Sequence, residues 1–125
     1  MKTAIRIKNY IQRQINQFIS INKAKSLGIS FHRPNYIYLN KLNSNSTVVD
    51  VGCANDPDFS IYVIKKYNCK SFGVDPTKKH FDALKKIESD YKDKFVHLPF
   101  ALVSKSGKLI FHESKTNVSG SIMDD

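Results

Sequence analysis

Apolar residues recur at three different spacings along this chain, and each spacing predicts a different element. Ile7, Ile11, Ile15, Phe18 and Ile19 repeat at helical intervals, with Arg6, Asn9, Gln12, Arg13, Asn16 and Gln17 around the rest of the wheel. This predicts an amphipathic helix ending by about Gly28, since glycine readily takes the left-handed conformation that closes a helix. Residues 29–46 contain Pro34 and a polar run from Asn40 to Ser46. They predict a connection in which Tyr36, Tyr38 and Leu42 pack as an extended or short helical piece. Val48, Val49 and Val51 then form a β-branched run of the kind that fills a parallel strand buried on both faces.

From Asp58 onward the periodicity alternates. A helix over 58–67 places Phe59, Tyr62, Val63 and Tyr67 on one face, and a strand over 70–75 follows. A second helix over about 78–91 carries Phe81, Leu84, Ile87 and Tyr91, with Thr77 as its cap. Lys94–Leu98 is a third strand. Phe100–Ser104 and Lys108–His112 alternate around Ser106-Gly107, which predicts a hairpin. Strand, helix, strand, helix, strand implies an α/β fold: a Rossmann-like half-sheet of parallel strands joined by right-handed crossovers, preceded by the amphipathic helix. Residues 1–45 form a basic helix and connection, and residues 46–125 form the α/β domain.

The candidate chemistry sits where the first parallel strand meets its helix. Gly52 ends the valine run, Asp56 is placed to accept from the first free helical amides, and Pro57 suits the first helical position, where an N–H would have no partner. In an open α/β sheet that turn belongs to the ligand end. Asp75 closes the next strand 23 residues beyond Gly52. A dinucleotide fingerprint puts its ribose-binding acid about 20 residues beyond its glycines, and a carboxylate there accepts from both ribose hydroxyls. Charge narrows the ligand. The three glycine positions are held by Gly52, Ala54 and Pro57, and Asp56 and Asp58 put negative charge where a pyrophosphate would sit. No phosphate loop ending in Gly-Lys-Ser/Thr is present. S-adenosylmethionine has a ribose but no phosphate, and its sulfonium and ammonium suit an acidic turn.

These stretches resemble the FkbM-type methyltransferases, a branch of the class I S-adenosylmethionine-dependent enzymes. DVGCANDPDFS is similar to their first motif, GVDPTKKHFDAL to their second strand and following helix, and FALVSKSGKLIFHES to the segment after their third strand. NVSGSI is similar to the serine-containing end of that region. The resemblance spans roughly residues 46–122, and departs from the commoner first motif in having Asp56-Pro57 where glycine is usual. It implies that Asp50, Gly52, Ala54 and Asn55 hold the methionine part, Asp75 the ribose, and Phe100 with Ala101 the adenine edge. It also implies O-methylation of a hydroxyl on a small metabolite or glycan, with no residue nominated as a catalytic base. A full class I sheet continues beyond the third parallel strand, so the chain is expected to be the cofactor-binding half of such an enzyme. One side of the strand at 48–52 would then be open to a partner chain, a second copy or a continuation.

Composition changes this picture at one place. Residues 1–49 hold eight Lys or Arg and no acid, while residues 50–125 hold twelve basic and eleven acidic residues, so the excess charge belongs to the N-terminal segment. The helix there is expected to pack its Ile/Phe stripe on the domain, with attachment to an anionic membrane or a partner as the alternative. Tyr36 and Tyr38 beside Arg33 and Lys41 do not make a recognised nucleic-acid module. Cys53 and Cys69 have neither metal nor disulfide spacing, which suits a reducing cytoplasm, and Cys53 is expected to be a small buried loop residue. His80, His97 and His112 are too scattered for a metal site. Only His80 falls close to Asp75 in sequence, and a solvated helix position is its default. The competing function is a non-catalytic module that binds a partner or membrane through the basic helix and open sheet edge.

Overall fold

The computed structural model describes residues 2–33, 36–116 and 120–122. The chain forms two compact units, Met1–Lys41 and Leu42–Asp125.

The first unit is a helix and a hairpin. Helix α1 spans Lys2–Ser26, and Gly28 follows it in the left-handed region at φ 77°. A side chain at Gly28 would also meet Asn40 Oδ1 at 3.1 Å, so the turn is closed both by conformation and by space. The segment expected to be a connection is extended: strands β1 (Ile29–His32) and β2 (Tyr36–Leu39) pair antiparallel, with Phe31 opposite Ile37 and Ser30 opposite Tyr38. Helix α1 touches β1, and its Ile21 and Ala24 are half-buried. Within this unit the Ile/Phe stripe is left uncovered: Ile7, Ile11, Ile15, Phe18 and Ile19 lie between 47% and 67% exposed. Two four-residue strands offer too little surface to cover a 25-residue helix.

The second unit carries a three-stranded parallel sheet in the order β3-β4-β5, formed by Thr47–Val51, Lys70–Val74 and Phe95–Leu98. Val48 pairs with Ser71 and Ser71 with Phe95, in register across the sheet. Helix α2 (Asp58–Tyr67) connects the first two strands, and a 3₁₀ turn (Lys78–His80) running into helix α3 (Phe81–Tyr91) connects the second pair. Both helices contribute to one core beside the sheet, where Ile64 of α2 and Leu84 of α3 meet Cys53 and Phe95, flanked by Ile87 and Tyr91. Strand β3 is an edge of this sheet among the described residues, as the sequence predicts.

Several sequence expectations change in detail. Strand β3 is not buried on both faces: Val49 and Val51 are 57% and 56% exposed, because both helices pack on the opposite face. Helix α2 buries Ser60, Val63 and Ile64, whereas Phe59 and Tyr62 are half-buried and tilted against each other at 6.4 Å between centroids. Pro57 occupies the cap position of α2, one residue earlier than expected, and its carbonyl accepts the first helical bond from Ile61. The predicted hairpin around Ser106-Gly107 does not form. The antiparallel pair falls later, where β6 (His112–Glu113) meets β7 (Gly120–Ser121). Two isolated arms have no third strand or packed face to support them, and Leu102, Leu109 and Ile110 remain exposed. Residues 117–119 of the NVSGSI stretch lie outside the described residues.

Gly73 sits where the sheet packs closely on its core. A Cβ there would lie 2.7 Å from Phe95 Cζ and 2.9 Å from Cys53 Sγ, and Phe95 is fully buried. Gly73→Ala is therefore expected to cost about 1–3 kcal/mol through overpacking. Urea denaturation measures it, and an unchanged midpoint would show that the ring has room to yield.

Candidate functional site

A cavity of about 380 Å³ opens at the carboxyl ends of the three parallel strands. That is within the range of small-molecule sites, and it is the end of an open α/β sheet where ligands bind. Gly52 and Ala54 line it from the turn after β3, Asp75, Pro76 and Thr77 from the turn after β4, and Phe100, Ala101 and Leu102 from the segment after β5. Phe111 and Gly120 close it from the C-terminal side.

The turn after β3 is held in an unusual backbone conformation. Gly52 sits at φ 73°, and its N–H continues the ladder to Val74 O at 2.8 Å. Ala54 follows at φ 53°, in the left-handed region that disfavours residues bearing a Cβ. A compensating bond is present, because the Ala54 N–H donates to Asp75 Oδ2 at 2.9 Å. The other carboxylate oxygen, Oδ1, accepts the Thr77 N–H at 2.9 Å and faces His80 Nδ1 at 3.2 Å. Asp75, 5% exposed, thus ties both ligand-end turns to the start of the α3 segment. Burial pushes its pKa up, but the donors from Thr77, Ala54 and His80 outweigh that and hold the carboxyl below its ordinary value.

Histidines surround this carboxylate more closely than the sequence suggests. His80 is 2% exposed rather than solvated, and its Nε2 has no hydrogen-bond partner among the described residues. His97 Nε2 donates to the Asp75 carbonyl at 3.0 Å, and its ring packs edge-on against Phe81 at 5.1 Å. Thr77 sits at the cap position, but makes no side-chain cap. Glu113 Oε1 instead accepts the Lys78 N–H at 2.6 Å, which fastens β6 to the start of the 3₁₀ turn.

Five of the seven residues expected at the site therefore come together: Gly52, Ala54, Asp75, Phe100 and Ala101 line one cavity. Asp50 and Asn55 are not among its lining residues. Asp50 is engaged with α2, accepting the Ser60 hydroxyl at 2.9 Å, and Ser60 in turn accepts from Ser71 at 2.9 Å. Burial, opposed by the bonds from Ser60, raises the Asp50 pKa. Cys53 is buried, as expected, and desolvation together with Asp50 and Asp75 pushes its thiol up to about 12. A thiol so protonated is no nucleophile. Thr77, Leu102 and Phe111 were missed. Asp75-Pro76-Thr77 carried the signal of a side-chain-closed turn, whereas nothing local to Phe111 marks it as a cavity wall.

No protein-family model matches the chain, and neither a curated protein nor a solved structure matches it.

The two aspartates predict opposite pH behaviour. Asp75→Ala leaves two backbone amides without their acceptor, at an expected cost of about 2–3 kcal/mol at neutral pH. Because the folded pKa of Asp75 is depressed, its contribution is present above the unfolded value of 3.8 and is lost as pH falls towards the folded value. The folded pKa of Asp50 is raised, so Asp50→Asn, which still accepts from Ser60, should gain relative to the parent as pH rises past 3.8. Melting temperatures from roughly pH 2.5 to 7 measure both trends. Parallel curves for parent and Asp75→Ala would contradict the assignment.

Proposed function

We propose that residues 46–125 bind S-adenosylmethionine and form the cofactor-binding part of a class I, FkbM-like methyltransferase. The observation that carries this reading is the convergence of residues from three sequence motifs, around Gly52, Asp75 and Phe100, on one cavity at the ligand end of a parallel sheet. The cofactor supplies an electrophilic methyl group on a sulfonium, and a hydroxyl of a small metabolite or glycan is the acceptor that the resemblance implies.

The chain's own groups fit the nucleoside with one adjustment. Three donors already occupy the Asp75 carboxylate, two on Oδ1 and one on Oδ2. Counting two acceptor directions per oxygen, Oδ2 retains one. Asp75 can thus accept a single ribose hydroxyl without releasing the Ala54 or Thr77 amide. A two-hydroxyl grip requires one of those bonds to open. Phe100, 47% exposed, with Leu102 and Phe111 gives an apolar wall for adenine. The missing glycine at Pro57 and the acids at Asp56 and Asp58 disfavour a pyrophosphate at the same turn.

A second reading is favoured by the exposed Val49 and Val51 on the uncovered sheet face and by the free edge of β3. In it the domain keeps the fold and engages a partner chain or a second copy there without turnover.

Titration calorimetry with S-adenosylhomocysteine tests the first reading. The parent should bind, and Phe100→Ala should weaken binding about tenfold, as loss of an aromatic platform under a base costs about 1–3 kcal/mol. A folded parent that shows no heat with either S-adenosylhomocysteine or S-adenosylmethionine would reject it.

A further inference from the structure

We propose that α1 is a surface anchor that lies flat on anionic lipid. Three observations converge on it. The first is shape: a 25-residue helix is about 37 Å long, and Ile7, Ile11, Ile15, Phe18 and Ile19 run along one side of it, all exposed. The second is charge. Helix α1 contains Lys2, Arg6, Lys8, Arg13, Lys23 and Lys25 and no acidic residue, and the first acid in the chain is Asp50. The third is the hairpin of the same unit, which adds exposed Ile37 and Leu39 at 68% and 61%.

This combination selects the occupant. A surface carrying only cations repels a basic partner and attracts an anionic one. Nucleic acid is anionic too, but its phosphate backbone gives nothing apolar to cover an exposed isoleucine stripe, and single strands are held by stacking on π-faces that isoleucine lacks. A bilayer of acidic lipids supplies both things the helix presents: headgroup charge for Arg6 and Arg13, and an acyl boundary for the Ile/Phe stripe. Among the described residues no helix is long and apolar enough to cross a membrane, so the contact is with the interface and not a span. The rotation of the helix would place Phe18 and Ile11 downward into the boundary and Arg6 and Arg13 towards the headgroups and solvent.

The test is vesicle co-sedimentation of the full chain. Phosphatidylcholine vesicles are compared with vesicles containing roughly 30% phosphatidylserine, at low and high salt. The parent should pellet with the anionic vesicles, remain in solution with neutral ones, and be released by salt. Arg6→Glu/Arg13→Glu and Ile11→Asp/Phe18→Asp should each lower partitioning at least about tenfold. Circular dichroism reports whether the aspartate pair keeps its helix in solution. Where it does not, the charge-reversed pair, altered only on the polar side, decides alone. A parent that stays in the supernatant with anionic vesicles overturns the proposal. So does equal partitioning of the parent and the charge-reversed pair, or binding to single-stranded RNA or polyglutamate with none to vesicles.

Discussion

The α/β unit is organised around one carboxylate. Asp75 leaves the central strand where the polypeptide turns towards α3, and its two oxygens hold the Ala54 amide, the Thr77 amide and His80. Each partner depends on it differently. Ala54 occupies a left-handed conformation that a residue with a Cβ adopts at a cost, and the bond to Oδ2 offsets that cost. Thr77 begins the 3₁₀ turn, whose own carbonyl then accepts the His80 amide at 3.0 Å. His80 is buried and would lose its Nδ1 partner. Buried donors left without acceptors cost about 1–3 kcal/mol each, so the turn after β3 and the turn after β4 stand or fall together. These are the two turns that floor the cavity.

Around that lock the sheet is built asymmetrically. On the helix-facing side Gly73 lets Phe95 and Cys53 close over the strand, and beside them Ser71, Ser60 and Asp50 form a hydrogen-bonded relay under α2. A hydroxyl relay ending on a carboxylate satisfies buried polar groups, and it also raises the pKa of Asp50 because burial outweighs the bonds it receives. The opposite side leaves Val49 and Val51 exposed at the edge strand. Parallel sheets are usually covered on both faces, and here only one cover is present among the described residues. The same imbalance appears in the N-terminal unit, where a long amphipathic helix has only a short hairpin beside it.

The fold was legible where spacing is governed by local geometry. The limits of α2 at Asp58 and Tyr67 match the expected helix, although Pro57 rather than Asp56 holds the cap position and no side-chain cap forms; Asn68 ends the helix at φ 56° and donates to Ile64 O. The alternation of strands and helices from Val48 to Leu98 determined the parallel order. What failed depended on covering surfaces that no local pattern specifies. The valine run of β3 has the same composition whether one face or two are covered. The arms around Ser106-Gly107 alternate correctly for a hairpin but have nothing to pack on. At the site, Asp75 was legible from its position at a strand end, whereas its use as a backbone acceptor was not. That role depends on the left-handed turn at Ala54, where sequence would favour glycine. For the same reason His80 was placed near Asp75, but its burial was not foreseen.

On the proposed function, the carboxylate that would hold a ribose already ties the two turns of the cavity together. Ligand binding and loop order would then be coupled through one side chain, with a ligand hydroxyl sharing Oδ2 with the Ala54 amide or displacing it. Amide hydrogen exchange tests this most directly. In the parent, the Ala54 and Thr77 amides should exchange markedly more slowly than the amides of neighbouring loop residues, and in Asp75→Ala, which removes both acceptor oxygens, that protection should fall at both positions together while the amides of Val63 and Leu84 stay protected. Exchange at Ala54 and Thr77 as fast as in an open loop in the parent, or unaltered by Asp75→Ala, would contradict the account.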